Sequence, residues 1–175
     1  DKGSALAPSP GADGGAAWSP DGKWIAFTSA RTGEGDLYLL DVYRIEASPV
    51  RLTSQPSSSE LYVAWSPNSD SLAYVAHSNS GDNLYVIDDV TDPSSRRLTT
   101  WNRTQTRPQW SPDGSMVAFY ANRAATERFD LYVTSLKGPP RLLISGVVMD
   151  EGGPSWTPDG QHIIFVKDDD EAFDP

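Results

Sequence analysis

Trp18-Ser19-Pro20-Asp21-Gly22 returns along the chain as Trp65-Ser66-Pro67-Asn68-Ser69, Trp110-Ser111-Pro112-Asp113-Gly114 and Trp156-Thr157-Pro158-Asp159-Gly160. The tryptophans stand 47, 45 and 46 residues apart. A constant period of this size marks a repeat architecture. The likeness runs well past the tryptophan. An apolar run follows each turn: Ile25-Ala26-Phe27, Leu72-Ala73-Tyr74, Val117-Ala118-Phe119 and Ile163-Ile164-Phe165. Three units continue with Asp36-Leu37-Tyr38-Leu39, Asn83-Leu84-Tyr85-Val86 and Asp130-Leu131-Tyr132-Val133. The same three close on Arg51-Leu52-Thr53, Arg97-Leu98-Thr99 and Arg141-Leu142-Leu143.

Alternation of large apolar with small or polar side chains is the period of a half-buried strand. Proline followed by Asp-Gly is a tight-turn signal, because proline presets φ and glycine accepts φ > 0. In the second unit Asn68-Ser69 stands in for Asp-Gly, and Asn68 tolerates the left-handed region. With the residues around the tryptophan, each unit reads as a four-stranded antiparallel meander, and no segment carries a helical stripe. Such units are propeller blades: one sheet cannot bury both its faces, and stacking on neighbours does so. The repeated tryptophans then belong to the packing between blades or against the turns. The fold expected is an all-β propeller of about three and a half to four four-stranded blades, in an open or partial ring.

These motifs in this order resemble the WD-like repeats of the TolB-like β-propeller family, from about residue 15 to 167. The resemblance implies about six blades in a full ring, a periplasmic location, and docking onto envelope or membrane-complex proteins. The chain divides into a flexible amino-terminal segment (1–14), blades at about 15–53, 61–99, 107–143 and 153–167, and an acidic tail (168–175). The fourth blade shows only its tryptophan strand, the turn and the strand that follows. Three arrangements remain open. The sequence is an excerpt of a longer protein, two chains combine into one ring, or the segment Lys2–Pro10 adds an outer strand to the last blade. The first, or an arc whose edges a partner covers, is favoured, since bare blade edges are sticky.

Composition narrows the function classes. A net charge of −10 and a pI near 4.5 argue against nucleic acid and against adsorption to anionic lipid. Absence of cysteine removes disulfides, thiol nucleophiles and cysteine-based zinc sites. No stretch has the length of an apolar membrane span. Serine catalysis needs a nucleophile elbow with histidine and carboxylate partners, and no Gly-x-Ser-x-Gly is present. His77 reads as a loop-edge residue and His162 as a surface or packing residue. The run Asp168–Glu171 with Asp174 lacks the spacing of a calcium loop, and no metal or cofactor is expected.

What remains is surface. The links between blades, and those between second and third strands, vary while the strands repeat, and specificity on repeat scaffolds resides in such loops. Trp101, Arg103 and Arg107 are the candidate protein-binding residues, with Glu60, Asp150 and Glu151 supplying charge nearby; exposed Trp and Arg are enriched at hot spots. Trp101 has a second reading, as packing between two blades. The expected function is a non-catalytic protein-binding scaffold or accessory subunit, periplasmic and held at the membrane through a partner or an unseen anchor. The alternative is the propeller portion of a prolyl-oligopeptidase-type serine peptidase or a polysaccharide-active enzyme whose catalytic part lies elsewhere.

Overall fold

The computed structural model describes residues 7–55, 58–101, 103–122, 128–147 and 152–167. Three four-stranded antiparallel meanders and one two-stranded sheet follow one another. The first holds β1 (Asp13–Trp18), β2 (Trp24–Ser29), β3 (Asp36–Asp41) and β4 (Val50–Arg51). The second holds β5 (Ser58–Trp65), β6 (Leu72–Ser78), β7 (Gly81–Ile87) and β8 (Ser95–Arg97). The third holds β9 (Gln105–Trp110), β10 (Met116–Ala121), β11 (Phe129–Ser135) and β12 (Arg141–Val147). The last pairs β13 (Ser155–Trp156) with β14 (Ile163–Ile164). The helical content among the described residues is one 3-10 turn, Val42–Arg44, after β3. First strands of successive blades lie against each other, β1 by β5, β5 by β9 and β9 by β13, and so form the inner wall of an arc. Among the described residues the sheets do not close into a ring.

Each Pro-Asp-Gly turn is built the same way. Ser19 Oγ accepts from the Trp24 amide at 2.9 Å and donates to the Asp21 carboxylate at 2.7 Å. The Asp21 carboxylate also accepts from the Lys23 amide, at 3.1 Å. Ser111 and Asp113 repeat these bonds with Met116 and Ser115. Hydrogen bonding to its charged form, first from Ser19, holds the Asp21 carboxyl down at about 2, and Ser111 does the same for Asp113. The glycine is required by its backbone, with φ of 72° at Gly22 and 70° at Gly114. In the second blade the left-handed residue is Ser69, at φ 66°, and not Asn68 as the turn chemistry suggested. Asn68 Nδ2 instead bonds Asp70, and Ser69 Oγ accepts from the Asp21 amide of the preceding blade at 3.0 Å.

Alternation along β2, β6 and β10 sets how blades stack. In the first two blades the face turned to the next is small or aliphatic, and in the third it also carries Tyr120. Ala26, Leu37 and Leu39 of the first blade receive Leu72, Tyr74 and Ile87 of the second. Ala73, Val75, Leu84 and Val86 of the second receive Val117, Phe119 and Tyr132 of the third. Ala118, Tyr120, Leu131 and Val133 of the third meet Trp156, Ile163 and Phe165 of the last. The core is therefore spread between sheets.

At each junction the tryptophan adds a directed bond. Trp65 Nε1 donates to the Ala17 carbonyl at 3.0 Å, Trp110 Nε1 to Ala64 at 3.1 Å, and Trp156 Nε1 to Gln109 at 3.2 Å. The acceptor is always the residue just before the preceding blade's tryptophan. Trp65 and Trp110 are 9% and 8% exposed. Trp18, with no described blade before it, is 59% exposed, and the expected packing role is seen for the other three tryptophans.

Two substitutions separate these roles. Trp110→Ala removes a buried indole and its hydrogen bond, and should lower unfolding free energy in urea by about 3–5 kcal/mol. Trp18→Ala should cost no more than about 0.5 kcal/mol in the isolated chain. Equal losses at both positions would contradict the junction geometry.

Candidate partner-binding face

Two kinds of loop share one face of the arc, those joining second to third strands and those joining one blade to the next. There the positions five residues before Trp65 and Trp110 reach back to the preceding blade. Gln105 shows the pattern fully. Its side chain donates to the Asp82 carbonyl at 2.7 Å and accepts from the Thr99 hydroxyl at 2.7 Å. Thr99 Oγ1 itself accepts from the Leu84 amide at 2.8 Å. Thr53 does the same for Leu37, at 2.9 Å, which explains the threonine of the Arg-Leu-Thr segment.

Glu60 occupies the position equivalent to Gln105, and its placement corrects the sequence reading. It lies in β5, not in a loop, and is fully buried at the junction of the first two blades. Its amide donates to the Gly35 carbonyl at 2.7 Å, and Oε1 accepts from the Ser58 hydroxyl at 3.0 Å. Oε2 is buried without a hydrogen-bond partner. Burial pushes the carboxyl up to about 7, and the neighbouring Asp36 charge adds to the rise against the Ser58 and Thr53 hydroxyls. Glu60 therefore joins blades and offers nothing to a partner.

Trp101 takes the second of its two readings. Its ring lies edge-on to Tyr132 at 4.8 Å and tilted to Phe119 at 6.0 Å, closing the gap between the second and third blades. Arg103 is exposed and forms an isolated antiparallel bridge with Asp82. Asp82 also pairs with Nδ1 of His77, which lies in β6 with its side chain 60% exposed. His77, Asp82 and Arg103 thus share one edge of the face. Asp150 and Glu151, and the acidic run from Asp168, lie outside the described residues. Among the described residues no cluster of three or more His, Asp or Glu is arranged to hold a metal.

Arg107 lies in β9, not in the preceding link, and has a neighbour that sequence reading missed. Its guanidinium sits 5.9 Å from the ring of Tyr62 on β5. Both residues are left-handed, with φ of 55° and 52°, and both stand three residues before a tryptophan. The same position is Gly15 (φ 59°) in the first blade and Gly153 (φ 76°) in the last. It is a bulge in the inner strand, seen as a register shift in the first three blades. The glycines at the matching repeat position were the available signal. A left-handed backbone costs a non-glycine residue on the order of 1 kcal/mol. Tyr62 and Arg107 carry that cost on the inner wall, where Tyr62 and Leu61 are partly exposed.

Stacked four-stranded meanders with their first strands inward define a β-propeller arc whose open features are loops and an inner wall. The chain belongs to the TolB β-propeller domain family, which matches residues 51–174. It is 30% identical over 133 residues to the Tol-Pal system protein TolB of Alcanivorax borkumensis, covering 72% of this chain and 30% of that protein. The crystal structure of TolB from Acinetobacter baumannii aligns with a TM-score of 0.70 at 22% identity, over 91% of this chain and 39% of that one. A stretch of 68 residues, 39% of this chain, is 31% identical to the uncharacterized peptidase YuxL of Bacillus subtilis, of which it covers 10%. The chain spans about a third of the length of the TolB relatives it matches.

The buried Glu60 makes stability depend on pH with a defined sign. Its native pKa lies above the ordinary 4.5, so the native state holds a proton that the unfolded chain releases between about 4.5 and 7. The favourable contribution is full below pH 4.5 and is lost as pH rises through about 7. Glu60→Gln keeps the amide shape found at Gln105 and removes the titration. From pH 4.5 to 8, the stability of Glu60→Gln relative to wild type should grow by roughly 2 kcal/mol in urea titrations. A difference that stays flat across this range would mean that Glu60 titrates as an exposed carboxyl.

Proposed function

We propose that this chain is part of a non-catalytic, protein-binding propeller, a scaffold or accessory subunit at the periplasmic face of a cell-envelope or membrane protein complex. The observation that carries this reading is the match of most of the chain to a Tol-Pal system protein, on a scaffold whose blades repeat while its loops differ. No described helix is long and apolar enough to cross a membrane, so attachment in this reading runs through a partner or an anchor. Arg103, beside Asp82 and His77, is the binding residue the geometry favours most, being exposed at the rim. Arg107 with Tyr62 on the inner wall is the second contact, because strain held at two non-glycine positions is typical of functional sites. Trp101 supports the face from beneath, its ring edge-on to Tyr132 and tilted to Phe119.

The peptidase likeness sustains a second reading, in which this arc belongs to a peptidase propeller. The two separate on one comparison. Tagged wild type and Arg103→Glu are used to capture partners from the detergent-solubilised envelope of the organism that encodes them, with mass spectrometric readout. The scaffold reading expects an envelope protein retained by wild type and reduced roughly tenfold or more by the charge reversal, with thermal stability unchanged. Equal capture by both would remove Arg103 from the site. A hydrolase domain on the same polypeptide would favour the peptidase reading.

A further inference from the structure

The link from the first blade to the second and the link from the second to the third differ at one matched position. Two residues past the threonine of Arg-Leu-Thr stands Gln55 in the one, and past Thr99 stands Trp101 in the other. Trp101 fills the gap it faces. Its ring meets Tyr132 at 4.8 Å and Phe119 at 6.0 Å, and Tyr132 is 2% exposed. In the preceding junction the matching rings are Tyr85 and Tyr74, opposite each other in register as Tyr132 and Phe119 are. They stack with centres 5.5 Å apart and planes at 18°. Among the described residues no indole covers them. Tyr85 stays half-buried, and beside it a cavity of about 380 Å³ opens on the loop face, with Gln55 in its lining. This junction lies between two four-stranded blades, so both of its walls are present.

The walls of the slot are held in place. Ala76 and Asn83 pair across the β6–β7 hairpin on the slot side, and Asn83 is 5% exposed. Asn83 Oδ1 accepts from Arg97 Nη2 at 3.0 Å, and Arg97 Nε donates to the Thr99 carbonyl at 2.6 Å. Arg97 pairs with Tyr85 across β7 and β8, so these bonds fix its guanidinium beside the ring, and neither of them uses Nη1. Ser58 and Ser78 add hydroxyls to the lining. The slot therefore offers an aromatic floor, a cation at its edge and an oxygen-bearing rim. A planar ring suits all three, since its face stacks, its edge is electropositive and its π-cloud attracts a cation. On the other side of the same hairpin His77 pairs with Asp82, beside Arg103. One bound segment can reach both sides.

We propose that this slot receives an aromatic side chain of the protein partner, an indole or phenol packed on Tyr85 as Trp101 packs on Tyr132, with Arg97 Nη1 taking a carbonyl or carboxylate of the same segment. This rests on the protein-binding reading above and adds what the partner must present.

Titration of the isotope-labelled protein with N-acetyl-L-tryptophanamide, followed by amide chemical shifts, tests the slot. Saturable shifts are expected at Asn83, Tyr85 and Arg97. Gln55→Trp supplies the ring from within the chain. It should raise the melting temperature by filling the cavity and abolish these shifts, a pairing that damage to the fold does not produce. Should Gln55→Trp fail to fold, Gln55→Phe takes its place. Tyr85→Leu, which removes the aromatic floor and keeps apolar bulk, should weaken binding roughly threefold or more. In capture from the solubilised envelope, Gln55→Trp should retain about a tenth or less of the partner held by wild type. Absence of saturable shifts overturns the proposal, as do shifts that Gln55→Trp leaves intact. So does methyl α-D-glucopyranoside shifting the same amides where the tryptophanamide does not, which would mark a saccharide site. A partner captured equally by wild type and Gln55→Trp removes the slot and leaves the scaffold reading standing. No capture by wild type counts against the scaffold reading, while the titration still decides the slot.

Discussion

An indole N–H reaching the carbonyl of the sheet before it is the contact from which the rest of this structure takes its spacing. It recurs at three junctions with lengths within 3.0–3.2 Å. Apolar burial supplies most of the attraction between blades, but burial is non-directional and would tolerate sliding. The hydrogen bond from a rigid bicyclic side chain fixes where one sheet sits on the next. The turn two residues on carries the same repeat, so the inner strand, the turn and the stacking register are set by one short motif.

The faces explain why the pattern alternates as it does. A propeller blade must be wider at its outer strands than at its inner one, and the residues between two blades have to fill a wedge. Pairing a small-residue face with a large-residue face does this, as Ala73 and Val75 against Phe119 and Tyr132 show. Polar satisfaction follows the same period. The threonine of Arg-Leu-Thr caps a third-strand amide and, at Thr99, donates its hydroxyl hydrogen bond to the Gln105 side-chain oxygen of the next blade. Glu60 at the equivalent place is the one departure described, and its burial converts a neutral latch into a titratable one.

The proposed contact residues stand where the repeat is broken. Tyr62 and Arg107 occupy a left-handed bulge that the other two blades give to glycine. Arg103 and His77 gather at Asp82 because the third strand of one blade and the inter-blade link bring them to one edge. Tyr62 with Arg107, and Arg103 with Asp82, are brought together from distant parts of the chain, while His77 and Asp82 face each other across one hairpin.

Much was legible before folding. A period of 45–47 residues, Pro-Asp-Gly turns and alternating apolar runs determined the blade, its four strands and their antiparallel order, because these depend on local backbone preference and side-chain period. The tertiary structure decided which loop residues face solvent. Glu60 looked like surface because it flanks a variable link, and it is buried at a junction; of the two readings open for Trp101, packing between blades is the one found, with its ring edge-on to Tyr132. It also decided that Trp18, identical in motif to three packed tryptophans, is exposed. Burial of a repeated residue depends on whether a neighbour stands beside its blade, and that is a property of the stacking order, which no single repeat encodes.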